Sequence, residues 1–327
     1  MSGFDLKEGR YIEKHVSDDE FWSAFTSLFS SQSTMVSSYK YGLLKAIIDN
    51  LYNTDEKLKL TFEQVFSKFA EIYWNLILKY RLKQQAKKET YLEQILHSAV
   101  EKYSLPRGIA FENLPAEMMM EIVHDVKQKC KTYVVGALFS DTKKLFYSFS
   151  KKEEWIQINP LMYEFLCKHK VAIEKLNYYE WARFLERINE NDVVDHLLNK
   201  IDESAKRNNL SYYRDILFEE FENTCFYCGK KVTKGHAEVD HFIPWSFVKD
   251  DNLWNLVLAC PECNNKKRDK LASDKYLNDL VIRNTSIVIE TYKEMKYYQV
   301  NRLCNIYKWA KRNGYDKIWT PGQKVRT

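Results

Sequence analysis

Residues Cys225 to Leu271 read CFYCGKKVTKGHAEVDHFIPWSFVKDDNLWNLVLACPECNNKKRDKL. Two Cys-x-x-Cys pairs, Cys225/Cys228 and Cys260/Cys263, enclose an Asp-His pair (Asp240, His241) and Asn255, and the second pair runs straight into Asn264-Asn265-Lys266-Lys267-Arg268. Four thiolates offered as two such knuckles suit a closed, tetrahedral zinc site of the structural kind. Between them, residues 237–241 alternate like a strand, with Val239 opposite Asp240. Residues 242–254 read as a loop containing Pro244, Asn255 to Ala259 as a second strand, and Pro261 onward as a short helix. Strand, loop, strand and helix, stapled by zinc, can bring Asp240, His241 and Asn264 to a common point. Glu238 shares a strand face with Asp240 by the period of two and can assist a metal there.

This pattern resembles the HNH endonuclease family, whose fold is a ββα-metal finger, in the variant with Asn at the last position. The matching residues are Asp240-His241, Asn255 and Cys260-x-x-Cys263-Asn264-x-x-Lys267. The run Val239-Asp240-His241-Phe242-Ile243-Pro244 with Asn255-Leu256-Val257-Leu258 also looks like the HNH domains of restriction-type and RNA-guided CRISPR nucleases. The resemblance implies a metal-dependent DNA endonuclease leaving 5′-phosphate and 3′-hydroxyl ends. His241 would be its general base, since an imidazole titrating near ~6.5 can take a proton from water at neutral pH. Asp240 and Asn264 would hold one catalytic Mg²⁺ (or Mn²⁺), a hard ion that takes oxygen ligands. Asn255 would fix the loop structurally, and the four cysteines would carry structural Zn²⁺. Lys267, with Lys266 and Arg268, would contact phosphate. RNA remains an open substrate, and restriction or antiphage defence is the setting the resemblance suggests. The other reading is a zinc-stapled module that binds nucleic acid or protein without catalysis, in which Asp240-His241 is a chance dipeptide.

The whole 327-residue chain sets the frame. It is 45% hydrophobic and 15% aromatic, with only 9 Gly and 6 Pro, which excludes a disordered or collagen-like chain and favours helices. Net charge is +5, and from Thr291 onward nine basic residues face two acidic ones, so the positive charge is concentrated in the tail. Lys308, Lys311, Arg312 and Lys317 are expected to point outward there, tracking phosphate or simply solvated. Seven cysteines, four of them in the knuckles, leave Cys130, Cys167 and Cys304 as thiols of a reducing compartment. The opening MSGFDLKEGR has no apolar signal core and no membrane-length apolar run follows, so a cytoplasmic protein is expected.

The expected architecture is mainly α: a long helical region (residues 1–205) for substrate selection, sensing or a protein partner or activator, then the finger (206–275), then a basic helical segment (276–327) packed on it. Asp18 and Asp19 are candidate caps for a helix carrying Phe21, Phe25 and Leu28. Thr61 and Gln64 form a capping box ahead of Val65 to Tyr80. Residues 118–135 read as one helix. Residues 144–149 and 155–158 read as a hairpin, and Asn159-Pro160 as the start of another helix. The aromatic stripes lie on single helical faces, which marks them as core rather than as base-stacking surfaces. Oligomeric state has no signature in the sequence.

Overall fold

The computed structural model describes residues 5–30, 36–106, 108–190, 194–205, 209–287, 292, 295 and 297–322. The chain is mainly α and divides into two compact units, Met1–Lys206 and Arg207–Thr327.

In the first unit the apolar stripes become a shared aromatic core. Helices Asp18–Phe29, Tyr39–Asp49, Phe62–Trp74, Tyr91–Lys102, Ala116–Cys130 and Val134–Asp141 precede the long helix Pro160–Ile188. Phe21, Phe25, Phe62, Phe66, Phe69, Trp74 and Trp181 are almost fully buried. Each such side chain contributes roughly 1.5–3 kcal/mol by leaving water. Gly42 is required where two helices meet: a Cβ there would lie 2.3 Å from the Tyr73 ring. A four-stranded antiparallel sheet, in the order Glu8–Gly9, Tyr147–Ser150, Trp155–Ile158, Lys59–Thr61, closes one side.

Local chemistry sets the helix ends. Thr61 and Gln64 form the expected capping box, and Asn159 caps the helix that Pro160 opens. The first helix is capped differently from expectation. Ser17 is the N-cap, in a capping box with Glu20, while Asp18 and Asp19 occupy the first turn, where a negative charge still favours the helix dipole. The helix expected over 118–135 is interrupted. It ends at Cys130, Lys151 Nζ takes the Thr132 carbonyl at 2.7 Å, and a new helix begins at Val134.

In the second unit, Ser211–Glu220 leads into the antiparallel pair Glu238–His241 and Leu256–Ala259, followed by the finger helix Pro261–Lys267. The interstrand segment, read as loop, contains a helical turn at Trp245–Val248 and a 3₁₀ turn, Leu253–Asn255, so Asn255 precedes the second strand rather than opening it. Helices Asp274–Ser286 and Val300–Arg312 pack on this finger. Tyr276 donates to the Tyr227 carbonyl at 3.0 Å, and Asn284 donates to that of Trp254 at 2.8 Å. The chain then returns as a strand, Ile318–Trp319, parallel to Leu271–Ala272, and sets the Trp319 ring 5.0 Å from that of Tyr227. Among the described residues no helix is long and apolar enough to cross a membrane.

Candidate metal centre and active site

The two knuckles come together. Gly229, at φ +73°, lets the first knuckle turn back so that its N–H reaches the Cys225 carbonyl at 2.8 Å. Cys260 is the N-cap of the finger helix and Cys263 lies in its first turn. The four sulfurs of Cys225, Cys228, Cys260 and Cys263 all lie within 4.8 Å of one another, and Cys228 and Cys260 Sγ are 3.8 Å apart. A tetrahedral zinc with Zn–S near ~2.3 Å requires sulfurs separated by about 3.8 Å. The thiols therefore fit the ion in number, softness and spacing. The Phe226 N–H donates to the Leu258 carbonyl at 2.8 Å, which ties this knuckle to the second strand.

The hairpin register pairs Asp240 with Val257 and His241 with Leu256, and Phe242 N–H to the Asn255 carbonyl at 2.8 Å continues it into the loop. Asn255 is fully buried. Its Oδ1 accepts from Ile243 N–H at 2.8 Å and its Nδ2 donates to the Ile243 carbonyl at 2.9 Å. One amide thus clamps both polar groups of the residue two positions beyond His241, and fixes how the chain leaves the strand.

His241 is buried, and its Nε2 lies 2.7 Å from Oδ1 of Asp251, also buried. A carboxylate only accepts, so in the neutral ring Nε2 carries the proton and Nδ1 keeps its lone pair. Asp251 was not singled out in the sequence. It sits ten residues downstream in a loop that only the folded hairpin brings back, and its one local signal is the Lys249-Asp250-Asp251 run.

Asp240 is buried too. Its Oδ2 accepts from the Tyr227 hydroxyl at 2.5 Å and from Lys267 Nζ at 2.9 Å. Burial first, then the neighbouring Asp240 charge, pushes the Tyr227 phenol well above its usual range, so it stays a neutral donor. Lys267 also donates to the His241 carbonyl at 2.7 Å and is fully buried. The expectation that Lys267 touches phosphate does not hold: it is an internal cation, because i,i+4 spacing puts it on the same inward face as Cys263. Lys266 and Arg268 are exposed at the end of this helix, Lys266 paired with Glu262 at 2.8 Å.

Asn264 meets Glu238 rather than Asp240, its Nδ2 donating to Glu238 Oε2 at 2.5 Å. These two line a cavity of about 320 Å³ with Asn209, Leu210, Ser211, Arg214, Ala237 and Val239, whereas Asp240 and His241 do not line it. Of the expected site residues, the strand and finger helix link Asp240 through Lys267 to the His241 carbonyl, and link Asn264 to the accessory Glu238. Glu238 and Asn264 present side-chain oxygens, the donor type Mg²⁺ takes, to this cavity, while Asp240 lies outside its lining.

The basic tail is partly described. Lys308, Arg312 and Lys317 are exposed, while Lys311 pairs with Asp274 at 2.8 Å. Lys293, Lys296, Lys324 and Arg326 lie outside the described residues.

Residues 225–273 match the family model described as HNH endonuclease, a stretch well under half of the chain. No curated protein and no solved structure matches the chain. The second unit thus carries an HNH-type domain, and the matched segment begins at the first zinc knuckle and ends just beyond the finger helix.

Proposed function

We propose that the HNH-type domain hydrolyses DNA phosphodiester bonds in a divalent-metal-dependent reaction, with His241 as general base. The observation that carries this reading is the buried His241–Asp251 pair at 2.7 Å. With the proton held on Nε2, the Nδ1 lone pair accepts a proton from water, and the resulting hydroxide attacks phosphorus while the 3′-oxygen departs. Asp251 is the positioning residue that keeps the ring in this tautomer, and Asn255 holds the chain beyond it. Asp240 and Asn264, with Glu238, would hold the divalent ion, which when bound offsets negative charge building up on the leaving oxygen. Lys267 and Tyr227 hold Asp240 in place from behind.

Exposed Lys266, Arg268, Lys308, Arg312 and Lys317 supply cations for the DNA backbone, whose affinity should fall with salt. The family match supports nuclease function, while 5′-phosphate and 3′-hydroxyl ends and a restriction or antiphage setting rest on the resemblance alone. Incubating zinc-loaded protein with supercoiled plasmid and Mg²⁺ or Mn²⁺ tests the reading. Metal-dependent nicking with ends that a ligase reseals is expected. DNA binding without nicking in either metal would instead make the domain a zinc-stapled binding module.

A further inference from the structure

We propose that Arg214 docks a backbone phosphate of the DNA beside the scissile bond, so that the helix before the zinc knuckle forms part of the substrate site. This rests on the nuclease reading above and deepens it.

Arg214 lines the ~320 Å³ cavity that also holds Glu238 and Asn264. Its guanidinium forms no hydrogen bond or ion pair among the described residues, and its Nε is buried without a partner. A buried guanidinium N–H is rarely left unpaired, because nothing replaces the water it has lost. A planar fork of N–H donors, half sheltered in a cavity, matches the oxygens of a phosphate diester. The same helix is anchored to the catalytic loop: Tyr213, the adjacent residue, donates its hydroxyl to the Asp251 carbonyl at 2.7 Å. Arg214 is therefore held in register with the loop that orients His241, as positioning of a reacting phosphate demands. Glu238 Oε2 accepts from Asn264, and no ion pair joins its carboxylate to Arg214 among the described residues.

The test uses the full zinc-loaded chain with Arg214→Gln and Arg214→Lys. Affinity for a DNA duplex is measured against salt in the His241→Ala background, and single-turnover cleavage in the background that retains His241. Arg214→Gln should weaken binding about tenfold at low salt, equally across sequences, and shrink the salt slope by about 0.9. It should raise the DNA concentration needed for half-maximal cleavage and also slow cleavage at saturating DNA, because the phosphate beside the reacting bond is held less firmly. Arg214→Lys, which keeps the charge, should restore the slope and most of the affinity. Parental affinity and slope in Arg214→Gln would overturn the proposal while leaving the nuclease reading intact. Zinc loss in both variants would mark Arg214 as structural only and overturn it as well. Failure of the parent protein to bind or cut DNA would remove the nuclease reading, and this inference with it.

Discussion

Single residues divide the site into groups that act on substrate and groups that hold them. Lys267 belongs to the second class. Replacing it with Met would leave the buried Asp240 carboxylate with Tyr227 as its remaining donor. Removing one partner of a buried pair costs about 3–5 kcal/mol. Lys267→Met should therefore lower the unfolding midpoint of the second unit by urea denaturation, while leaving the salt slope of DNA binding unchanged. A changed slope with unchanged stability would return Lys267 to phosphate contact. What the sequence left hidden at this scale has a common cause. Lys267 and Asp251 are ordinary charged residues in polar runs, and only the closure of helix and loop over the hairpin turns them inward. The Ser17-x-x-Glu20 box was readable, but the acidic pair beside it carried the more obvious helix-start signal. The four cysteines were legible because two Cys-x-x-Cys pairs have metal-ligand spacing, whereas the roles given to Asp240, His241 and Asn255 rest on the resemblance to the HNH family.

At the scale of elements, the finger depends on its staple. Its strands pair over only four residues each and its helix spans seven, too little for independent stability in water. Zinc bound to such thiolate sites contributes about 10–16 kcal/mol. Chelation should abolish DNA cleavage and the protease resistance of the second unit, and leave the helical signal of the first, whose core contains no metal site among the described residues. Retention of a folded finger after complete zinc removal, measured by metal analysis and limited proteolysis together, would show that the C-terminal helices hold it alone. The helical character of residues 276–327 was readable. Their packing on the finger hangs on single contacts, such as Asn284 to the Trp254 carbonyl, that no periodicity encodes.

For the whole molecule, acid should act on the first unit through its paired carboxylates. Glu154 joins the hairpin to the helix Ala116–Cys130 and the turn after it, 3.0 Å from Lys127 Nζ and 2.6 Å from Lys131 Nζ. Burial alone would raise its pKa, but the two lysines outweigh it and hold the carboxyl below the usual 4.5. A depressed folded-state pKa stabilises above the unfolded value and loses that contribution as pH falls through the folded one. Glu154→Gln should therefore be less stable than the parent at about pH 7, with the gap closing below about pH 4. Equal stability at neutral pH would show that the pair contributes nothing. Mainly-α character was legible here from composition and capping. The sheet that joins Glu8–Gly9 to a hairpin far along the chain was not, because two-residue strands carry no alternation of their own.

The account stands on His241 as the group that activates water, and single-turnover cleavage of plasmid DNA in Mg²⁺ tests it most directly. His241→Ala should lower the rate by about 10²–10⁴ at unchanged zinc content, with added imidazole restoring part of it and Asp251→Asn falling between mutant and parent. Cleavage by folded His241→Ala at the parental rate would contradict it.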